Sequence, residues 1–244
     1  RRVIMIDPSA ASPIHALASA GDATALLALV GASPQGISDR DPDGRSVLHL
    51  AAAAGHAQLV LELASRGAAK DTQDAGGWRP LHSAASAGRV DVVEVLLDPQ
   101  YGHVDVNSRV EGSGSTALLF AASKGHAEVT KMLLNAKADA RAPDGSGATA
   151  LHRAAGRGHP EVLSILLDAL PPSAIDDRDS LGQTAFHVAA SCDQEAACVL
   201  LAEAGADCAT VDNSGQSTVQ LLPLRLRNQF GVMGDDEDCD GMQP

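Results

Sequence analysis

Short apolar segments recur along this chain at a nearly constant interval, and most of them follow a turn rich in Asp, Gly and Ser. Each segment contains a four-residue motif with an apolar residue third and, in most copies, a histidine fourth. The apolar third residues are Ile14, Leu48, Leu81, Leu118, Leu151, Phe186 and Val219, at successive intervals of 34, 33, 37, 33, 35 and 33 residues. Seven copies in phase indicate tandem structural repeats, each of which shares its core with its neighbours.

Each motif predicts a pair of short helices. In the third copy the apolar residues of segment 92–97 recur at helical spacing, which predicts the buried face of a second helix. A glycine follows the first helix in most copies, at a place where a left-handed backbone suits glycine best. These glycines are Gly21, Gly55, Gly88, Gly125 and Gly158. Asp193 takes that place in the sixth copy. Because aspartate tolerates this backbone conformation less well than glycine, we expect the sixth repeat to be less stable at this point.

The segment at residues 77–88, GWRPLHSAASAG, resembles one ankyrin-repeat unit, whose period is about 33 residues and whose core reads T-P-L-H-x-A. We therefore predict an all-α, ankyrin-repeat solenoid of about seven helix–turn–helix repeats with β-turn fingers. The repeats are expected to start near 13, 46, 79, 116, 149, 184 and 217. The repeat domain should span 1–230, with capping repeats at both ends, and an acidic tail at 231–244 should be disordered.

Several boundaries follow from local signals. The helices predicted with explicit limits are 15–20 and 22–30 in repeat one, 47–54 and 57–64 in repeat two, and an exposed last helix at 224–227. Pro171 and Pro172 should end the second helix of repeat five, because proline cannot continue a helix. Repeat four has the longest interval, and its extra residues fall within 98–103 and 111–115. Extra length in a repeat array belongs in loops on one face, often the binding face.

Composition and charge limit the classes of partner and function that we expect. Aromatic residues make up 2% of the chain, which suits thin helices packed through small side chains. The formal net charge of −13 argues against a nucleic-acid partner and favours a protein with a basic patch. No apolar run approaches the roughly 18 residues of a membrane span, and residues 1–8 turn polar too soon for a secretory signal. We expect a monomer without cofactor or membrane attachment.

Histidine and cysteine are numerous enough to raise the question of a metal or catalytic site. The chain has nine histidines and four cysteines. Eight of the histidines hold two fixed places in the repeat, which predicts bridges between adjacent turns and not a cluster around one ion. The cysteines lack the spacing of a zinc site or a disulfide framework, so free thiols are expected. We predict no enzymatic activity and no metal.

The informative residues are those that vary within the repeat frame. In this type of fold the turns project as fingers, and with the first helices they form a concave binding surface. The charged and aromatic candidates for partner contact are Asp43, Arg45, Asp74, Trp78, Arg79, Glu111, Lys124, Asp144, Arg153, Arg157 and Asp179. Trp78 is the only tryptophan. It serves either to pack against the next turn or to anchor a partner, since tryptophan is enriched at interface hot spots.

Several segments resemble the gankyrin family, the ankyrin-repeat assembly chaperones of the proteasome regulatory particle. These segments are 44–49, 74–89, 121–124 and 148–155, and the likeness covers nearly the whole chain. The resemblance implies a protein of cytoplasm and nucleus. It also implies that the finger-and-helix surface grips the C-terminal domain of the third of six base ATPases, largely through ion pairs. The contacts that it carries over by position are Asp43, Arg45, Asp74, Trp78, Lys124 and Arg153.

Three departures from the family stand out. Gly76-Gly77 adds a residue before Trp78, repeat four carries its insertion, and a Leu-x-Cys-x-Glu motif for the retinoblastoma protein is missing, since residues 188–192 read VAASC. Two alternatives remain open. One is a signalling or transcription adaptor with another protein target. The other is the ankyrin region of a larger enzyme, against which the two atypical terminal repeats weigh.

Overall fold

A computed structural model of the chain describes residues 13–32 and 34–230. This part of the chain forms α-helices and 3₁₀ turns, with single β-bridges at Arg40–Ser46 and Val211–Ser217. The helices are α1 Pro13–Ala20, α2 Ala23–Ala32, α3 Val47–Ala54, α4 Ala57–Ser65, α5 Pro80–Ser86, α6 Val90–Leu97, α7 Ala117–Lys124, α8 Ala127–Asn135, α9 Ala150–Arg157, α10 Pro160–Ala169, α11 Ala185–Ser191, α12 Glu195–Glu203, α13 Thr218–Leu221 and α14 Leu224–Phe230. The 3₁₀ turns are Pro34–Ser38, Pro99–Tyr101 and Pro172–Ala174. The expected all-α repeat fold is confirmed.

These helices belong to two compact units. One comprises the described residues up to 121 together with 131–138, and the other comprises 122–130 together with the described residues from 139 onward. The expected acidic tail at 231–244 and the polar start at 1–8 lie outside the described residues.

The core of each unit is built from the repeat motif. The motif leucines, such as Leu81 and Leu151, are at most 1% exposed, and burying a leucine stabilises a fold by about 1.5–3 kcal/mol. Two alanines follow the motif in each of repeats two to six, with at most 4% exposure. They are Ala51, Ala52, Ala84, Ala85, Ala121, Ala122, Ala154, Ala155, Ala189 and Ala190. Because these side chains are small, α1, α3 and α5 pack in sequence in one unit, and α9 packs on α11 in the other.

The helix ends follow the sequence signals, with small shifts. The first helix begins at Pro13, two residues before the predicted start, because proline suits the first turn of a helix. Asp22 precedes α2 as its cap, since its carboxylate accepts the N–H of Ala25 at 3.0 Å. The final helix is longer than predicted and is not wholly exposed. Leu226 is 5% exposed, and the ring of Phe230 lies 5.8 Å from that of Phe186.

The ends of the first helices confirm that a left-handed residue stands there. Gly158 has φ 65°, and a Cβ at this position would clash with the side chain of Gln194. Asp193 adopts φ 56° at the matching place in repeat six. An L-residue other than glycine is strained in this region, so the sixth repeat carries a local cost that the others avoid.

Candidate protein-binding surface

The fingers are turns built around an aspartate side chain. In the second repeat, Asp41 accepts the backbone N–H groups of Asp43 and Arg45 at 3.0 and 2.8 Å. Asp74 accepts those of Gly76 and Trp78, both at 2.8 Å. Asp144, Asp179 and Asp212 do the same in their own fingers. Three of the predicted contact residues, Asp74, Asp144 and Asp179, therefore shape their own fingers through these hydrogen bonds.

The finger of repeat three has the same length as those of repeats two and five. Its glycine, Gly77, donates its N–H to the carbonyl of Asp74, as Gly44 does to Asp41 and Gly147 to Asp144. Within this chain the Gly76-Gly77 finger therefore has no extra residue, and the extra residue relative to the gankyrin family stays a prediction. The finger of repeat four is the one that differs. It pairs Val110 with Ser115, one residue more than the pairing of Asp74 with Trp78.

Neighbouring fingers are tied together through their backbones. In the first unit the N–H of Ala75 donates to the carbonyl of Asp43 at 2.9 Å. In the second unit the N–H of Ser180 donates to the carbonyl of Ser146 at 3.0 Å, and Asn213 donates to Leu181 in the same way. These bonds fix the spacing between successive fingers, so each unit presents its finger residues in a set register.

The motif histidines are structural, as predicted. Nδ1 of His49 accepts the N–H of Ser46 at 3.1 Å, and its Nε2–H donates to the carbonyl of Trp78 in the next finger at 3.0 Å. His82 and His152 make the same bridges to Ser108 and Gln183. Burial lowers the pKa of all three imidazoles below their usual value, which favours the neutral form that these bridges require.

His187 is the exception among these histidines. Both of its ring nitrogens are buried without a hydrogen-bond partner, and Nε2 lies 3.8 Å from a carboxylate oxygen of Asp212. Hydrogen bonds from Ser214 and Gln216 hold the pKa of Asp212 well below its usual range. The sixth repeat thus lacks the bridge from its motif histidine to the next finger.

An ion pair joins the finger of repeat five to its first helix. Arg153 on α9 donates through Nε to Asp144 Oδ2 at 2.9 Å, and a second guanidinium nitrogen contacts the same oxygen. Burial alone would raise the pKa of Asp144, but hydrogen bonds from Ser146 and Arg153 outweigh it and lower the pKa. Asp144 is 8% exposed, so its role is to hold Arg153, whose side chain is 44% exposed.

The second repeat has a similar pair nearer the finger tip. Arg45 donates through Nε to Asp41 at 2.8 Å and also contacts Asp43 at 2.9 Å. Burial alone would raise the pKa of Asp41, but hydrogen bonds from Arg45 outweigh this effect, so the pKa is lowered. The side chain of Asp43 is 70% exposed. Arg45 and Asp43 therefore stand together at the surface, and their contact with a partner stays a prediction.

Arg79 is turned inward. Its guanidinium lies 2.6 Å from the carboxylate of Asp71, and only 19% of its side chain is exposed. It stands where other repeats have the serine or threonine that precedes the first helix. This position indicates that Arg79 stabilises its own repeat more than it contacts a partner.

Trp78 combines the two roles that the sequence left open. Its ring stacks on that of Phe120 with centroids 4.5 Å apart and an angle of 29°. His82 meets both rings edge-on at 6.2 and 6.1 Å. Both Trp78 and Phe120 remain half-buried. Trp78 thus packs against the next repeat and still exposes part of its indole at the surface.

Phe120 is the surface residue that the sequence reasoning missed. It occupies the first-helix position that Arg153 holds two helices later. The signal was present, because a variable first-helix position with a ring is unusual in a chain of 2% aromatic residues.

The remaining candidates divide between the units. In the first unit Glu111 is exposed beside the finger of Trp78, since a Cβ at Gly77 would lie 2.7 Å from its side chain. In the second unit Lys124 and Arg157 are exposed at the ends of first helices. We give the name finger surface to the exposed and half-buried finger and first-helix residues of each unit by itself: Asp43, Arg45, Trp78, Glu111 and Phe120 in the first unit, and Lys124, Arg153 and Arg157 in the second.

Within residues 13–32 and 34–230, no three His, Cys, Asp or Glu side chains are grouped to hold a metal ion. Cys192, Cys198 and Cys208 are free thiols. None of the described helices has the length and apolar character needed to cross a membrane.

Comparison with known proteins agrees with this architecture. A family model described as "Ankyrin repeats (3 copies)" matches residues 14–110, 102–176 and 118–212. The ankyrin-repeat domain of Bcl-3 superposes with a TM-score of 0.77 at 23% identity, covering 90% of this chain and 97% of that one. The ankyrin-repeat domain of human ASB11 gives 0.74 at 24% identity, covering 88% and 93%.

Two curated proteins show similarity at the level of sequence. The probable 26S proteasome regulatory subunit p28 of Saccharomyces cerevisiae is 30% identical over 207 residues, which cover 83% of this chain and 90% of the yeast protein. Inversin of Danio rerio is 43% identical over 146 residues, which cover 60% of this chain but 14% of inversin. Ankyrin repeats are scaffolds that bind other proteins and are not typically enzymes. The helix pairs, the fingers and the family match together show that this chain belongs to the ankyrin-repeat family.

Proposed function

We propose that this chain is a non-enzymatic assembly chaperone of the proteasome regulatory particle and that it binds the C-terminal domain of a base ATPase. The observation that carries the proposal is the match to yeast p28, which extends over 90% of that protein. The resemblance to the gankyrin family makes the third base ATPase the expected partner. The finger surface is the expected contact.

The mechanism would be occlusion by a preformed charged surface. Ion pairs and backbone bonds hold the fingers before any partner arrives, so little ordering is required on binding. Asp43 and Glu111 offer carboxylates in the first unit, while Lys124 and Arg157 offer cations in the second. A helical domain that carries charges of both signs would complement the residues of either unit, and the half-buried Trp78–Phe120 pair would supply an apolar anchor in the first unit.

The test is titration calorimetry of this chain against the isolated C-terminal domains of all six base ATPases, at a low and a high salt concentration. We expect binding to the third domain alone and weaker binding at high salt, because exposed charges are screened. Binding to none of the six, or to all of them equally, would contradict the proposal. Affinity that does not change with salt would contradict the charge-based mechanism.

A second candidate function is an adaptor that carries the same surface to a different protein. The 43% identity to a 146-residue stretch of inversin favours it, since that match is stronger per residue but spans less of the chain. If none of the ATPase domains binds, proximity labelling in cells would be the next step.

A further inference from the structure

A groove lies on the side of the first unit formed by second helices, away from the finger residues of the same repeats. It has a volume of about 560 Å³ and is lined by residues of α4, α6 and α8 and of the 3₁₀ turn Pro99–Tyr101. Its apolar lining includes Leu61, Val95, Leu97 and Met132, all of which are half-buried. We call it the second-helix groove. Its size falls within the range of about 300–1,000 Å³ that is typical of ligand pockets.

The inserted residues of repeat four form one wall of this groove. Asp98 follows α6, and its carboxylate accepts the N–H of Gln100 at 2.8 Å, which starts the 3₁₀ turn. The turn places Tyr101, the chain's only tyrosine, at the groove. The segment that lengthens the interval between repeats three and four therefore shapes the second-helix side.

A buried lysine holds this wall in place. Lys70 is 3% exposed, and its ammonium donates to the carbonyls of Leu96 and Asp98, both at 2.8 Å. These carbonyls lie at the end of α6, where a cation is favoured by the helix dipole. The end of α6 and the start of the inserted turn are therefore fixed, so the groove is a preformed feature.

The charged residues that line the groove are acidic, and the buried ammonium of Lys70 lies beside only one of them, Asp98. Among its lining residues, Glu94 and Asp98 are acidic and none is basic. Glu94 is exposed, and within the described part of the chain it has no ion-pair partner. An apolar floor with carboxylates at its edge complements a large apolar side chain that is flanked by lysine or arginine.

We propose that the second-helix groove is a second protein-docking site, which takes a peptide segment of a partner protein with a large apolar residue between basic residues. The apolar side chain enters between Val95 and Met132, and a flanking cation pairs with Glu94. This site is separate from the finger surface, so one chain would hold two partner segments at once.

The test uses three synthetic peptides and the full chain. One peptide carries leucine and phenylalanine flanked by lysines, one has the same apolar residues flanked by glutamates, and one has alanines flanked by lysines. Binding is followed through the methyl signal of Met132, which is the only methionine within residues 13–32 and 34–230. The variant Met132→Leu identifies that signal and keeps the floor apolar. We expect only the first peptide to bind and to shift it.

Charge reversal supplies the matched controls. Glu94→Lys should weaken binding of the lysine-flanked peptide about tenfold, because one favourable charge pair becomes a repulsion. Asp168→Lys makes the same change of charge on an exposed residue of α10, outside the groove, and should have no effect. Thermal unfolding would confirm that both variants remain folded.

Three results would overturn the proposal: equal binding of the lysine- and glutamate-flanked peptides, a Met132 signal that none of them moves, or equal effects of the two charge reversals. Self-association of the chain that Glu94→Lys abolishes would also overturn it, since the occupant would then be a second copy. None of these measurements uses the finger surface, so their outcome is independent of the ATPase titration.

Discussion

At the scale of single residues, the most informative contact is the stack between Trp78 and Phe120. The sequence marked Trp78 but could not choose between packing and partner contact, because that choice depends on the residue from the next repeat that it meets. The ring of Phe120, 42 residues further on, lies 4.5 Å away. Periodicity predicts which repeats are neighbours but not which pair of variable side chains will touch.

Replacement of Trp78 should therefore affect stability as well as binding. Trp78→Ala removes the stack and part of the packing beneath it, so we expect the free energy of unfolding to fall by about 1–3 kcal/mol. Chemical denaturation followed by circular dichroism measures this. Trp78→Phe keeps a ring at that position and should recover most of the loss. If Trp78→Ala unfolds at the same denaturant concentration as the parent chain, the stack contributes nothing.

The buried histidines predict how stability depends on pH. The imidazoles of His49, His82, His152 and His187 have pKa values lowered from 6.5 by burial. The unfolded chain therefore takes up protons first as the pH falls. Their contribution to stability is fully present above pH 6.5 and is lost as the pH falls through that value towards the folded pKa.

Histidine side chains usually titrate between about pH 7.5 and 5. Urea unfolding should show that the free energy of unfolding falls as the pH is lowered through this range. Each histidine adds at most about 1.4 kcal/mol per pH unit to the slope. His152→Gln should make the slope shallower, which a purely structural loss would not do. A free energy that stays constant over this window would show that the imidazoles titrate normally in the folded chain.

At the scale of elements, the repeat pattern predicts helices well because their start and stop signals are local. The limits of α3 follow directly from Ser46 before the helix and Gly55 after it. The end helix α14 was less predictable, since the contact of Phe230 with Phe186 joins two separate repeats. The inserted turn after α6 also required the structure, because Lys70, which holds it, lies 28 residues before Asp98.

The end of α11 offers a test of local strain. Asp193 has φ 56°, whereas glycine stands at this place in the five preceding repeats. Asp193→Gly should raise the free energy of unfolding by about 0.5–1 kcal/mol, because glycine adopts this conformation without a steric penalty. The reverse change, Gly158→Ala, should lower it by at least as much, since its Cβ would meet Gln194. A loss of stability in Asp193→Gly would show that the aspartate itself stabilises the helix end.

At the scale of the whole molecule, the composition gives the net charge but not where the free charges lie. The formal net charge is −13, yet many of the aspartate carboxylates in the fingers form hydrogen bonds within the fold. Asp41, Asp74, Asp144, Asp179 and Asp212 all accept hydrogen bonds from their own turns. Asp43 and Glu111 are among the carboxylates near the fingers that stay exposed, a distinction that no count of charges could make.

The central claim is that the finger surface of this chain binds the C-terminal domain of a base ATPase through charged contacts. The most direct measurement compares two charge reversals in binding to the third ATPase domain at low salt. Lys124→Glu changes an exposed residue of the finger surface, whereas Lys131→Glu changes an exposed residue of the second helix α8. We predict that Lys124→Glu weakens binding about tenfold and that Lys131→Glu leaves it unchanged. Equal affinities of the two variants, or stronger loss in Lys131→Glu, would contradict the claim.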